Sequence, residues 1–477
     1  MSDDDASYED DKNKILDEQA MLEQEELESK SDYGNITRDQ FEKELIKKYH
    51  FKATTDTEEL YYYDEPGGVY VKGGEWLIKR ESVKFNPCIT TSGVDQIIKH
   101  ITWSNFIDRS DFDKDIEWLC CKNVMVNLKT GETAPHSPDF MTTVTIPHNY
   151  LNYKTPCVPR PTKIMKFLYQ VMSYENVETL LDFIAYCLWR AFPFHRWLLF
   201  NGSGRNGKGV TTNLITRLLG ARNVSTETLH RLIETRFASA KLYGKMANID
   251  ADLSSQALKH TGILKKLTGG DSVPGEFKFK NPFEFVNYAK LIFSANTIPI
   301  TPDETDAFFA RLLIINFPNQ FLGSKDNPNL IDELTTEEEI SALLSLVIRR
   351  VPRVLKFGIS YSASHSIEDN YLKYIRSSEP VRYFAETALR NDDAPSSYET
   401  KVLVYDAYCK FCDENNLPVE SSYTFSRKLK KEGYFDIQIR IGGKKEPKIW
   451  VWRNIRLIDW KKIDDEDQQV LDLEQVP

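Results

Sequence analysis

No apolar run in this chain approaches the roughly 20 residues that a membrane-spanning helix needs. Its acidic start has neither the basic opening nor the apolar stretch of a secretory signal, so the cytoplasm is the expected compartment and no membrane partner is expected. Cysteine is scarce: seven in 477 residues, with Cys120 and Cys121 adjacent, do not make the disulfide framework of a secreted domain. Cys409 and Cys412 form a lone CxxC with no second ligand pair nearby, which predicts structural thiols rather than zinc. A net positive charge is also lacking, since the formal charge is -10. That deficit is local, because the first thirty residues hold twelve Asp and Glu against three Lys. The rest of the chain is near neutral and has room for basic patches. Residues 1–32 read as a disordered acidic head that cannot bury enough apolar area to offset its chain entropy, and 458–477 as an acidic tail.

What is present is ample apolar material, 41% hydrophobic and 12% aromatic, over a length that fits two to four domains. Residues 33–155 read as an α+β domain: a helix after Thr37, then short strands punctuated by turns at 64–68 and 72–75. A proline-containing linker at 157–161 leads to a long amphipathic helical pattern over 163–190. Residues 163–322 then alternate strand, Gly-rich loop, helix and further strands, which predicts an α/β sheet between helices. A helical connector, 323–394, and a second linker precede a compact helix-helix-strand-strand unit at 398–457.

The strongest local signal is Gly202-Ser203-Gly204-Arg205-Asn206-Gly207-Lys208, set between an apolar strand and a helix. Glycines there let successive backbone N–H groups face nucleotide phosphates, the helix start adds a favourable dipole, and Lys208 reaches the β- and γ-phosphates. Gly209 stands where Ser or Thr would offer a hydroxyl to Mg²⁺, so Thr211, Thr212 or a water must take that part. Val210 completes the predicted loop-to-helix contact with ATP. The metal also needs a carboxylate at the end of a neighbouring strand, and Asp252 and then Asp250 in IDADLSS are the two candidates, although an ordinary helix cap would also use Asp252. Asn296 ends the apolar run AKLIFSAN, where an amide can hold both the attacking water and the γ-phosphate. Arg311, in FFARLLIINFP, could reach a nucleotide held by an adjacent subunit, or else pair with Asp303 or Asp306. Lys278 and Lys280 alternate with Phe277 and Phe279 after a Gly/Pro turn, which predicts both lysines on one face of a strand near a hairpin tip, placed to grip DNA phosphate.

These elements, in this order, resemble the superfamily 3 helicases, and more narrowly the helicase half of primase-helicases of plasmids, phages, large DNA viruses and archaeal mobile elements. GSGRNGKG resembles their nucleotide loop, ADLSS the acidic motif, LKKLTGGDSV through KFKNPF the DNA-contact motif, KLIFSANTIP the Asn motif and FFARLLIINFP the arginine segment. A glycine after the loop lysine also occurs in that family, whereas Ala310 stands where many of its members carry a second arginine. The resemblance implies an AAA+-like P-loop ATPase core behind an N-terminal α+β domain. It also implies a C-terminal winged helix, a homohexameric ring, ATP and Mg²⁺ as cofactors, and 3′ to 5′ movement on DNA. No convincing set of primase metal acids appears, since Asp111 and Asp113 read as surface charges. Primer synthesis by the N-terminal segment and ATP-dependent origin binding without turnover are the two rival readings.

The C-terminal unit points to DNA independently. Residues 421–456 carry ten Lys and Arg against three acids. Arg427 and Lys428 lie along a helix, and Lys444 and Lys445 in a Gly-Gly turn like a wing, where phosphate contact is the natural use.

Overall fold

The computed structural model describes residues 36–151, 161–253, 261–278, 282–296, 298, 301, 305–321, 327, 329–359, 374–375, 378–392, 397–415, 417–440 and 447–458. The acidic head and tail, most of each linker, Lys280, and the Gly-Gly turn with Lys444 and Lys445 lie outside them.

The first module packs the helices Arg38–Tyr49, Gly74–Phe85 and Thr91–Ser104 on a sheet whose strands run Val69–Lys72, Leu60–Asp64, Lys52–Thr54, Phe106–Ile107. Thr37 caps its first helix in a capping box with Gln40, as its position predicts. The glycines at 73 and 74, read from the sequence as a turn, instead start a helix. Gly73 sits at φ 104, where a residue without a Cβ is unstrained, and the chain enters Gly74–Phe85 directly. A second sheet, ordered Thr133–Ala134, Met125–Asn127, Trp118–Cys121, Thr145–Ile146, buries Cys120 and Cys121. Asp113 is not a free surface charge: it accepts from the Thr142 hydroxyl at 3.0 Å and the Thr143 N–H at 3.0 Å, pinning the chain beside that sheet.

The long helical pattern breaks at Met172, and Ser173 caps a second helix, so the segment forms Thr162–Val171 and Tyr174–Leu188. Behind them lies a five-stranded parallel sheet in the order Val224–Ser225, Ala247–Asp250, Lys290–Ala295, Trp197–Asn201, Leu312–Asn316. Alternate residues serve opposite faces. Leu198, Phe200, Ile292, Leu313 and Ile315 meet the helices Thr162–Val171, Tyr174–Leu188, Lys208–Leu219 and Glu337–Phe357, whereas Trp197, Leu199, Leu291, Phe293, Leu312 and Ile314 face the other layer. Burial on both faces is why these strands read as unbroken apolar runs. Lys290 opens the Asn-bearing strand fully buried, its amine donating to the carbonyls of Trp189 at 2.5 Å, Ala191 at 2.9 Å and Tyr288 at 2.9 Å. Burial pushes that amine down to about 7.

Two helices of the first layer are tied by a buried ionic network. Arg350 on Glu337–Phe357 donates to Asp182 at 2.9 Å and to Glu178 at 2.9 Å, and Arg353 also reaches Asp182. Asp182 is 1% exposed, so removing one of its two arginines weakens the compensation of a buried charge and also leaves Glu178 without Arg350. Arg350→Met is therefore expected to cost about 3 kcal/mol of stability, read as a lower urea midpoint at unchanged slope. A midpoint equal to the parent's would show that Arg353 alone holds the pair.

The two modules meet at Arg109. Its guanidinium pairs with both oxygens of Asp56, at 2.6 and 2.9 Å, and lies 5.1 Å from the Tyr243 ring and 5.3 Å from the Phe283 ring. Beyond Glu337–Phe357, the helices Pro380–Ala388, Lys401–Glu414 and Ser422–Lys431 enclose a separate core with the strands Tyr398–Thr400, Ile449–Arg453 and Asp436–Ile439. Cys412 is buried in it. Pro380–Ala388, assigned to the connector from sequence, thus contributes Val381, Phe384 and Ala388 to this C-terminal core. Among the described residues, no helix is long and apolar enough to cross a membrane.

Candidate functional site

The strands of a parallel sheet all end on one edge, and crevices at that edge, where the order of strands reverses, are where ligands bind. Trp197–Asn201 occupies that position, between Lys290–Ala295 and Leu312–Asn316, and the glycine loop leaves its end. Two glycines fit by necessity. A Cβ on Gly202 (φ 154) would meet Asn206 Nδ2 at 2.3 Å and the Phe317 carbonyl at 2.6 Å, and one on Gly207 (φ 92) would meet Val171 at 2.7 Å. Gly204 and Gly209 face open space, leaving the outer rim free for close approach of a ligand. Arg205 also takes a positive φ, and Asn206 is buried and donates to the Phe317 carbonyl. Helix Lys208–Leu219 starts immediately after the loop, with Val210 in its first turn.

Lys208 is folded over the loop. Its amine donates to the carbonyls of Gly202 and Ser203, to Asn206 Oδ1 at 3.2 Å and to Asn296 Oδ1 at 3.1 Å. Burial lowers its pKa, and the nearby Asp252 carboxylate opposes that shift. Asn296, at the end of the adjacent strand, is thereby brought to the loop from 88 residues away. Asp250 ends the next strand over, and Phe293 pairs with it in register. It is 6% exposed, its Oδ2 is buried without a hydrogen-bond partner, and burial raises its pKa. Asp252 is exposed and donates its N–H to Asp250 Oδ1 at 3.3 Å. Thr211 is fully buried and its hydroxyl donates to the Gly207 carbonyl at 2.9 Å, while Thr212 donates to that of Gly209 at 3.0 Å. Each hydroxyl proton is committed to backbone, so lone pairs are what either offers a cation.

Arg311 stands elsewhere. Its carbonyl accepts from the N–H of Trp197, at the start of the loop-bearing strand, whereas the loop leaves the other end. Leu312 pairs with Trp197, so Arg311 lies six residues before Gly202 in register, about 20 Å along the sheet at about 3.3 Å per residue. Its guanidinium donates to the Ala307 carbonyl at 2.7 Å, and among the described residues no carboxylate pairs with it; Asp303 lies outside them. Its Nε is buried without a partner.

Residues 200–311, which contain every one of these groups, match a family of unknown function, DUF5906, and residues 21–173 match a family described as D5 N terminal like. Putative helicase 121R of Invertebrate iridescent virus 3 is 28% identical over 146 residues, covering 28% of this chain and 16% of the relative. A putative helicase of Acanthamoeba polyphaga mimivirus is 26% identical over 165 residues, covering 33% of this chain and 17% of its own length. The chain thus matches about a sixth of the length of these viral relatives. The C-terminal region of NrS-1 aligns over 86% of this chain and 97% of its own at 14% identity, with a TM-score of 0.44. Both viral relatives carry the name of putative helicases.

Two features at this site escape sequence reasoning. The segment after Leu312–Asn316 braces the loop: Gln320 donates to the Ser203 hydroxyl at 2.6 Å, and the N–H of Phe321 donates to the Arg205 carbonyl at 2.8 Å. Phe167 and Val171 pack under Gly207. Nothing local in the sequence marks either, because both come from distant helices and strand ends.

The predicted DNA contacts sit as follows. Strands Ser272–Gly275 and Phe283–Val286 form the hairpin, but its strand ends at Gly275, so Lys278 is exposed in the connecting loop and not on an alternating strand. Pro282, just before the return strand, has no N–H with which to extend the pairing. Phe277 stacks on Phe283, ring centres 5.4 Å apart. On Ser422–Lys431, Arg427 is exposed, whereas Lys428 pairs with Glu420 at 2.6 Å and Lys430 with Asp436 at 2.8 Å. Part of the basic excess read from sequence is therefore neutralised within the fold.

Proposed function

We propose that this chain is an ATP- and Mg²⁺-dependent DNA helicase that works as a ring of identical subunits in the replication of a virus, plasmid or integrated element. The observation that carries the reading is the meeting of Lys208 with Asn296 at 3.1 Å, one strand away from the buried, unpartnered oxygen of Asp250. A cation, a neutral amide and a carboxylate so arranged beside a glycine loop are what phosphoryl transfer to water requires. The residues fit the cofactors. The glycine cradle admits a polyphosphate, and Asp252 and Asp250, with the lone pairs of Thr211, would hold Mg²⁺, which when bound neutralises charge on the transferring phosphate. Gly202 to Gly209 would present backbone N–H groups, Lys208 would balance phosphate charge, and Asn296 would orient water. Arg311, out of reach of its own loop, would complete the site of the next subunit. The names of the viral relatives support the same reading.

The decisive measurement is phosphate release by the purified chain with and without single-stranded DNA. Stimulation by the strand is expected, and hydrolysis indifferent to every DNA offered would remove the helicase reading. Lys278→Ala tests how motion is coupled to turnover. Basal hydrolysis should persist while the DNA-stimulated rate drops about tenfold, equivalent to about 1.4 kcal/mol. Parental stimulation in that variant would leave Lys278 as a solvated loop residue.

A further inference from the structure

We infer that the cavity between the first module and the edge of the ATPase sheet is a track for a single DNA strand, its phosphates held by Lys72, Arg222, Lys241 and Lys245 and a base resting on Phe277. The cavity encloses about 620 Å³ and joins the sheet of the first module to the edge strand Val224–Ser225 and the turn that precedes Ala247–Asp250. Four cations from three segments line it: Lys72 is paired with Glu59 at 2.7 Å and Lys241 with Glu227 at 2.6 Å, while Glu227 also meets Arg231 at 3.2 Å. Arg222 and Lys245 therefore carry the charge without a carboxylate partner among the described residues, and Lys245 donates only to the Arg222 carbonyl. Burial, with Arg222 and Lys72 alongside, lowers the Lys245 pKa, so the folded chain holds a positive cluster that an anion would relieve. Lys72 lies 5.7 Å from the Phe277 ring, which is 36% exposed.

Cations spread along a groove beside an accessible aromatic ring suit a backbone with stacked bases. A free nucleotide would need its polyphosphate gathered at one point, and this cavity has no glycine-rich loop to do so. Phe277 is also the chain neighbour of Lys278, so a strand gripped at the hairpin meets this groove next. The inference rests on the helicase reading and adds the path of the strand to it.

The test uses the full chain without nucleotide and a fluorescein-labelled oligothymidylate, with affinity measured across a salt series. Arg222→Gln with Lys245→Gln should weaken binding and make the slope of log affinity against log salt shallower by about 1.4, two contacts at about 0.7 each. Arg222→Lys with Lys245→Arg should keep the parental slope. In the unmodified protein, a photoreactive thymidine in the oligonucleotide should cross-link to Phe277 or Tyr243, a result that needs no variant to fold. If the glutamine variant keeps the parental slope while Lys278→Ala weakens binding, the strand runs elsewhere and the helicase reading stands. Failure of the parent to bind the oligonucleotide at all would remove both. Loss of the cross-link on adding thymidine triphosphate, with no protection by unlabelled oligothymidylate, would assign the cavity to a free nucleotide instead.

Discussion

Lys208→Ala is expected to lower ATP hydrolysis by about 10²–10³, the usual loss when a preorganised group facing developing charge is removed. The amine sits at the one point where the loop carbonyls of Gly202 and Ser203 meet Asn296, and no other described cation shares that position. Folding should survive, because a desolvated lysine contributes little net stability, and DNA affinity should survive because Arg427 is exposed on a helix of the separate C-terminal unit. Phosphate release, melting temperature and oligonucleotide binding on one preparation separate these effects. Hydrolysis within threefold of the parent would mean that the glycine loop holds something other than a nucleoside triphosphate.

Arg311→Ala should cost about 10³ in turnover if the guanidinium stabilises transition-state charge. Its place at the opposite end of the strands from its own loop makes the more telling experiment one of mixing. Arg311→Ala subunits keep the loop and Lys208→Ala subunits keep the arginine. In randomly mixed closed rings at equal ratio, about a quarter of interfaces join an intact loop to an intact arginine, so hydrolysis should return where each variant alone is inactive. No recovery at any ratio, with mixed rings demonstrated by pull-down of differently tagged subunits, would confine the arginine to its own subunit.

The sheet edge that carries the candidate site was legible in the sequence because a parallel sheet buried on both faces leaves a plain signature. Apolar runs stop abruptly, and the residue at each stop is polar for a reason: Gly202 after Asn201, Asp250 after Ile249, Asn296 after Ala295. That Asn296 lies beside Lys208 follows from strand order, which no local pattern encodes. Lys278 was misplaced because alternating Phe and Lys mimic strand periodicity, whereas the paired strand ends at Gly275 and Pro282, just before the return strand, has no N–H to extend the ladder. Gly73-Gly74 was misread for the opposite reason, since a left-handed glycine opens a helix there. The basic cavity could not be seen at all, as Lys72 comes from one module and Arg222, Lys241 and Lys245 from two turns of another. In the C-terminal unit, counting charges overstated the free excess, because Glu420 and Asp436 fold back onto Lys428 and Lys430.

Arg109 gives the assembly a mechanical property. Held by Asp56 and Thr57 on one side, it meets the other module at the faces of Tyr243 and Phe283 and through a hydrogen bond to the Tyr243 side chain, and Phe283 is the residue from which the hairpin's return strand begins. A ring face resists separation by about 0.5–2 kcal/mol yet lets a guanidinium slide across it, because the attraction has no fixed bond direction. A displacement of the hairpin root is therefore expected to reach the first module through this joint of ring faces and guanidinium.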